Sequence, residues 1–200
     1  VNGAWCTLRQ WDAVVAPLAE RFTVIRHDVR GTGCSRPGPV EENTFEHYAD
    51  DITALAGAHG FERFHLWGLA WGARVAVVTA ARHPECVDRL VLSDLAIDPA
   101  DVDAQKAGSV AAKGARASAG ISEAAKIAGV FDHDDRDAAG ATLAATARHS
   151  DLMPFVRLVE ASTLIATGDH DPNLESSRRA LAGLRRGRLE VLPLTAHGSV

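Results

Sequence analysis

Three short stretches carry residue types suited to acid–base and carbonyl chemistry: GLAWGA at 68–73, GDHDP at 168–172 and TAHG at 195–198. A histidine beside a carboxylate moves protons well, because the carboxylate fixes the imidazole tautomer and stabilises the imidazolium. His197 and Asp171 supply that pair of residue types. GLAWGA follows FHLWG, an apolar run of strand length, and precedes ARVAVVTAARHP, which reads as a helix. Strand, tight glycine-flanked turn and helix form the setting in which G-x-S-x-G exposes a reactive serine. The central position here is Ala70, whose methyl group cannot attack a carbonyl.

The elements that must position these stretches alternate along the chain. Residues 22–28 (FTVIRHD), 64–68 (FHLWG), 89–94 (RLVLSD), 162–168 (STLIATG) and 189–194 (LEVLPL) read as strands. They are mostly continuous apolar runs, as expected where both faces of a parallel sheet are covered. Helices are predicted over QWDAVVAPLAERF with Pro17 inside it, over TFEHYADDITALAGAHG with Thr44 as N-cap and Gly60 as stop, over WGARVAVVTAARHP ending at Pro84, and over LESSRRALAGLRRG ending at Gly187. Strand–helix alternation indicates a mostly parallel α/β sheet. Residues 95–161 break the rhythm with Ala- and Gly-rich helical text and no convincing strand. They read as a short helical lid between core parts at 1–94 and 162–200. The chain starts on Val1 without Met and stops shortly after His197, so both ends read as cut and strands ahead of Val1 are expected to be missing.

Two hundred residues, 46% hydrophobic and with a formal charge of −5, suit one ordinary globular domain. RRGR at 185–188 reads as a solvated helix end, so no nucleic-acid groove is expected. No apolar run reaches the roughly 18 residues of a membrane span, and no secretory signal is visible. Cys6, Cys34 and Cys86 cannot all pair within one chain and match no zinc spacing, which favours a reducing, cytoplasmic setting.

Taken in order, NGAW, HDVRGTGCSRPG, GLAWG, GDHDP and TAHG resemble the α/β-hydrolase superfamily, especially its small esterase, lactonase and haloperoxidase-like members. The resemblance implies that Asp171 is the acid, His197 the base, and residue 70 the nucleophile position. It implies that the backbone amides of Ala4 and Trp71 face a developing oxyanion. The sequence departs from the family twice: Asn2 stands where His is usual, and Ala70 stands at the nucleophile. Three readings follow. The His197–Asp171 pair works alone on a small carbonyl-type substrate, as in the superfamily's cofactor-free dioxygenases and lyases; or Ala70 replaces the serine of an ester or lactone hydrolase; or the fold serves as a binding or scaffold protein. No cofactor is expected.

Other residues compete for roles. Asp169 and His170 read as turn residues beside Asp171. Asp94 stands where some relatives place an alternative acid, but with Asp171 available it reads as a cap or turn residue. FDHDDRD at 131–137 lacks the glycine and glutamate positions of a calcium loop and reads as a helix cap, so no metal is expected. RGTGCSRPG reads as a turn rather than a phosphate cradle. Nothing places Cys6, Cys34 or Ser35 on the elbow as a substitute nucleophile. Trp5 and Trp71 flank the inferred oxyanion site and read as lining an apolar pocket, with core as the alternative for either.

Overall fold

The computed structural model describes residues 1–198 of the chain. Among these, β1 (Phe64–Leu69), β2 (Val87–Ser93), β3 (Ser162–Gly168) and β4 (Gly187–Leu192) form one sheet in the order β1-β2-β3-β4, with every pairing parallel. Parallel neighbours need a crossover, and α3 (Trp71–Arg82) and α8 (Leu174–Gly183) supply those between β1 and β2 and between β3 and β4. The ladders pair Leu66 with Leu90 and Leu92 with Ile165, which keeps the apolar runs at the centre of the sheet.

Helix α3 is buried at every position from Trp71 to Ala80, as a helix walled in on all sides must be. That stretch includes Arg74, whose guanidinium donates to the carbonyl oxygens of Asp98 and His149 at 2.7 and 2.6 Å. Helix α2 (Phe45–Ala58) packs Phe45, Tyr48, Ala49 and Ile52 into the same core. Its ends are those expected from sequence: Thr44 Oγ1 accepts the His47 N–H at 3.1 Å, and Gly60 takes φ 81° beyond the last turn. Helix α1 (Asp12–Ala19) contains Pro17 and buries none of its residues.

Between β2 and β3 lie α4 (Val102–Ser118), α5 (Arg136–Ala141), α6 (Ala144–Arg148) and α7 (Met153–Val156), with no strand among the described residues there. Small residues let α4 come close to the core: a Cβ on Gly108 would overlap the His170 carbonyl oxygen.

Two expectations change. Residues 22–28 are not a strand: they have no ladder partner, and Phe22 and Ile25 are exposed. A groove of about 1110 Å³ separates them from β1. The far edge of β1 is met instead by Val1, whose backbone nitrogen donates to Trp67 O and whose carbonyl accepts from Leu69 N at 3.1 Å. Strand structure is a property of a pair of backbones, so apolar β-branched text alone does not produce it. RRGR is likewise not a helix end, because α8 stops at Gly183 and residues 187 and 188 open β4.

The turn after β1 depends on two glycines. A Cβ on Gly68 would overlap the Gly72 carbonyl, and one on Gly72 would overlap the carbonyl oxygens of Val1 and Asn2. Gly68→Ala is expected to destabilise the fold by about 1–3 kcal/mol in urea unfolding, since only backbone could move aside. Gly57→Ala, in open space on α2, is expected to be neutral or to stabilise by roughly 0.5–1 kcal/mol. Equal midpoints for Gly68→Ala and the parent chain would contradict this packing.

Candidate active site

The sharp turn from β1 into α3 holds Ala70 at φ 52° and ψ −109°. A non-glycine residue in that region carries strain on the order of 1–3 kcal/mol, and its surroundings must hold it there. Ala70 N donates to Ser93 O at 2.8 Å, and Ala70 O accepts from Ala73 N at 3.0 Å, so both sides of the turn are tied down. Residue 70 is half-buried, with its methyl group where G-x-S-x-G would present a hydroxyl.

The loop at 2–6 lies against this turn through the Val1 and Asn2 carbonyls at Gly72. Asn2 is buried and fully engaged: its Oδ1 accepts the Trp11 indole N–H at 2.8 Å, and its Nδ2 donates to His27 O at 3.0 Å and Cys6 O at 3.3 Å. Among the described residues the Ala4 and Trp71 amides form no hydrogen bond within the chain, which leaves both donors available.

The loops after β3 and β4 bring the two expected proton-handling residues together. A Cβ on Gly168 would overlap the Thr195 carbonyl, and His170 N donates to Thr195 O at 2.9 Å. His197 Nδ1 then lies 3.0 Å from Asp171 Oδ2, with the Asp171 side chain fully buried and the histidine side chain 21% exposed. Asp171 Oδ1 accepts the Asn173 N–H at 2.9 Å. Asp169, as a turn residue should, accepts the Thr195 N–H at 3.1 Å.

Asp94 caps no helix but is a turn residue: it sits at φ 53° in the bend just after β2, with its side chain fully buried. Its Oδ2 accepts the Gly198 N–H at 2.7 Å, and its carbonyl accepts from Asn173 Nδ2 at 3.1 Å. Ligand-type atoms of Asp94, Asp171 and His197 all lie within 4.8 Å of one another. Burial raises the Asp94 carboxyl to about 8; the charge of Asp171 and a hydrogen bond to it add to the shift, against the Gly198 N–H. For His197, burial disfavours the charged ring, but the Asp171 hydrogen bond and the charges of Asp171 and Asp94 outweigh it and hold the imidazole above its ordinary value. Asn173, which spans Asp94, Asp171 and His197, was not singled out from sequence. Its signal was its place two residues after Asp171, the spacing of an Asx turn.

The remaining candidates lie elsewhere. Trp5, at φ 56°, meets His133 edge-on at 5.4 Å between ring centroids and carries the Arg136 guanidinium over its face, so it contacts the helical segment. Trp71 packs its ring between Phe45 and Tyr48 in the core. In the acidic run, Asp135 caps α5 by accepting the Ala138 N–H, and His133 Nδ1 accepts the Gly33 N–H. Cys6 is buried, which pushes its thiol up to about 11; the Asp134 carboxylate raises that of exposed Cys34, and the Ser35 hydroxyl donates to Asp28 O. None of the three has the surroundings of an activated nucleophile. All three cysteines are free, and among the described residues no helix is long and apolar enough to cross a membrane.

Comparison with known proteins agrees with this architecture. A family model described as the alpha/beta hydrolase fold matches residues 2–179, and the chain belongs to that family. Over 82 residues it is 42% identical to the probable oxidoreductase EphD of Mycobacterium tuberculosis, a match covering 40% of the chain and 14% of EphD. Over 84 residues it is 39% identical to the N-formylmaleamate deformylase of Pseudomonas putida, covering 42% of the chain and 31% of the deformylase. The matches thus span less than a third of either relative. The solved structure of a hydrolase from Pseudomonas aeruginosa PA01 superposes with a TM-score of 0.75 at 25% identity, covering 99% of this chain and 81% of that one.

The His197 imidazole is expected to titrate above 6.5 when followed by NMR of nitrogen-15-labelled protein. Asp171→Asn is expected to lower that value, because burial then acts with less opposition. A raised folded-state value gives stability that is present below the unfolded value and lost as pH rises through the folded one. The stability lost in Asp171→Asn should therefore be larger at about pH 6 than at about pH 9. An unchanged His197 titration in Asp171→Asn would refute the pairing.

Proposed function

We propose that this chain is an enzyme of the α/β-hydrolase fold that acts on a small carbonyl-type substrate through a His197–Asp171 general-base pair, without a serine nucleophile. The observation that carries the reading is the coexistence of the 3.0 Å His197–Asp171 contact with a methyl group at the elbow. Asp171 accepts the proton on Nδ1, which leaves Nε2 with the free lone pair of a base. Nε2 takes a proton from a C–H or O–H next to the substrate carbonyl, and negative charge grows on the carbonyl oxygen. The Trp71 and Ala4 amides meet that charge, and the N-terminal end of α3 adds its dipole. Residues 95–161 act as a lid, with α4 lying over the acid loop at Gly108 and with Arg116 donating to Leu194 O at 2.8 Å. Trp5 packs against that segment through His133 and Arg136. The N-formylmaleamate deformylase relative is named for carbonyl chemistry, which supports the substrate class. The reading requires no cofactor, metal, nucleic acid or membrane, and three free thiols suit a reducing, cytoplasmic setting.

One observation favours a second reading, an ester or lactone hydrolase whose serine has been replaced. The strained backbone at residue 70 exposes its side chain at some cost, and a methyl group gains nothing from that exposure.

The test is turnover on small carbonyl compounds bearing an acidic C–H or O–H, beside a panel of short esters and lactones. His197→Ala is expected to lower turnover of the former by about 100- to 10,000-fold, the usual contribution of a general base. Asp171→Asn is expected to impair it strongly. Ester cleavage that appears only in Ala70→Ser, with no turnover of the carbonyl acids by the parent chain, would establish the second reading. No turnover by either chain on any compound would point to a binding or scaffold protein.

A further inference from the structure

Asp94 has no part in the proton transfer just proposed, yet it is buried in the middle of the machinery. Its Oδ2 holds the Gly198 N–H at 2.7 Å, immediately after His197. Its Oδ1 is also buried and has no hydrogen-bonding partner among the described residues. The second carboxylate, Asp171, is close enough that the reactive atoms of Asp94, Asp171 and His197 fall within a 4.8 Å span.

Two carboxylates and one imidazole cannot all carry charge cheaply in such a place. Like charges at this separation, shielded from water, force one of the acids to keep its proton. The hydrogen bonds decide which. Asp171 receives the Asn173 N–H and the His197 Nδ1–H, two donors that favour an anion. Among the described residues the Asp94 carboxyl receives only the Gly198 N–H, and its second oxygen is left over. An unpaired buried carboxylate oxygen is costly, whereas a carboxyl O–H there gains an acceptor in Asp171.

We propose that Asp94 is kept as a neutral carboxylic acid and acts as the positioning residue of the dyad: one oxygen pins the backbone at Gly198, and the other donates its proton to Asp171. This inference rests on the dyad reading above and deepens it. The single negative charge then stays at Asp171, facing His197. The titratable groups that act on Asp94 are Asp171 and His197, and burial and the Asp171 charge both favour its protonated form. The contribution of Asp94 to the His197 titration is consequently withheld at neutral pH and enters only on the alkaline side, when Asp94 ionises.

The experiment follows the side-chain carbonyl of Asp94 by NMR in the parent chain labelled with carbon-13 aspartate, assigned by its loss in Asp94→Asn. The expected result is a protonated carboxyl at pH 6 to 7 that ionises only in the alkaline range, whereas exposed aspartates ionise near pH 4 (about the reference value). Asp94→Asn mimics the neutral acid, since its carbonyl accepts from Gly198 and its amide donates to Asp171. It is expected to leave the His197 titration and the Nδ1–H signal of the parent unchanged at neutral pH. Asp94→Ala removes the pin and is expected to lose that signal. An Asp94 resonance already ionised at pH 6 would overturn the proposal without needing any variant to fold. So would a fall of about one pKa unit or more at His197 in Asp94→Asn, the effect of removing a neighbouring charge. Ionised Asp94 alongside a large loss of turnover in His197→Ala would refute this inference and leave the dyad standing. Absence of turnover would refute the dyad and leave the carboxyl titration readable.

Discussion

Backbone must touch backbone for this site to exist. The turn from β1 into α3 closes only because Gly68 leaves room for the Gly72 carbonyl, and Gly72 leaves room for the carbonyls of Val1 and Asn2. Gly168 does the same for Thr195 on the other side of the sheet. These contacts draw four loops from separate parts of the sequence to the same end of a parallel sheet. Parallel strands place all their carboxyl ends on one edge, so loops that follow them gather there without further instruction. At that edge Ala70 and Asp94 both take positive φ angles, 52° and 53°.

Electrostatics supplies the second layer. The loop hydrogen bonds among Asp94, Asp171, Asn173, His197 and Gly198 are short-range and mutually dependent. Each polar group in a buried network lowers the cost of its neighbours only while the network stays complete. Asp171 accepts the Asn173 N–H and meets His197 Nδ1 at 3.0 Å, and Asn173 Nδ2 also lies 3.2 Å from that nitrogen. Ala70 presents a methyl group at the elbow, where the G-x-S-x-G pattern would present a hydroxyl.

Much of this was legible in the sequence. The apolar strands β1, β2 and β3 read correctly because burial on both faces writes itself as continuous hydrophobic text. Thr44 and Gly60 marked the ends of α2 because caps are local chemistry. His197 and Asp171 were found through the order of motifs, and the structure brings them within hydrogen-bonding distance. What escaped depends on distant partners. Residues 22–28 have strand-like composition but no neighbouring backbone to pair with. Asp94 reads from sequence as a cap or turn residue, and its tie to the site is invisible there because its partners Gly198 and Asn173 are distant in the chain. Asn173 looked like part of an ordinary turn, and it is one, but its amide also links the Asp94 and Asp171 loops.

The central claim, that His197 serves as a base for a bound carbonyl compound, is tested most directly by proton exchange. Small carbonyl compounds with an acidic adjacent C–H would be incubated with the chain in deuterium oxide and followed by proton NMR. The account predicts that at least one exchanges that hydrogen for deuterium faster than in buffer, and that His197→Ala removes the acceleration. Exchange that persists undiminished in His197→Ala would contradict it.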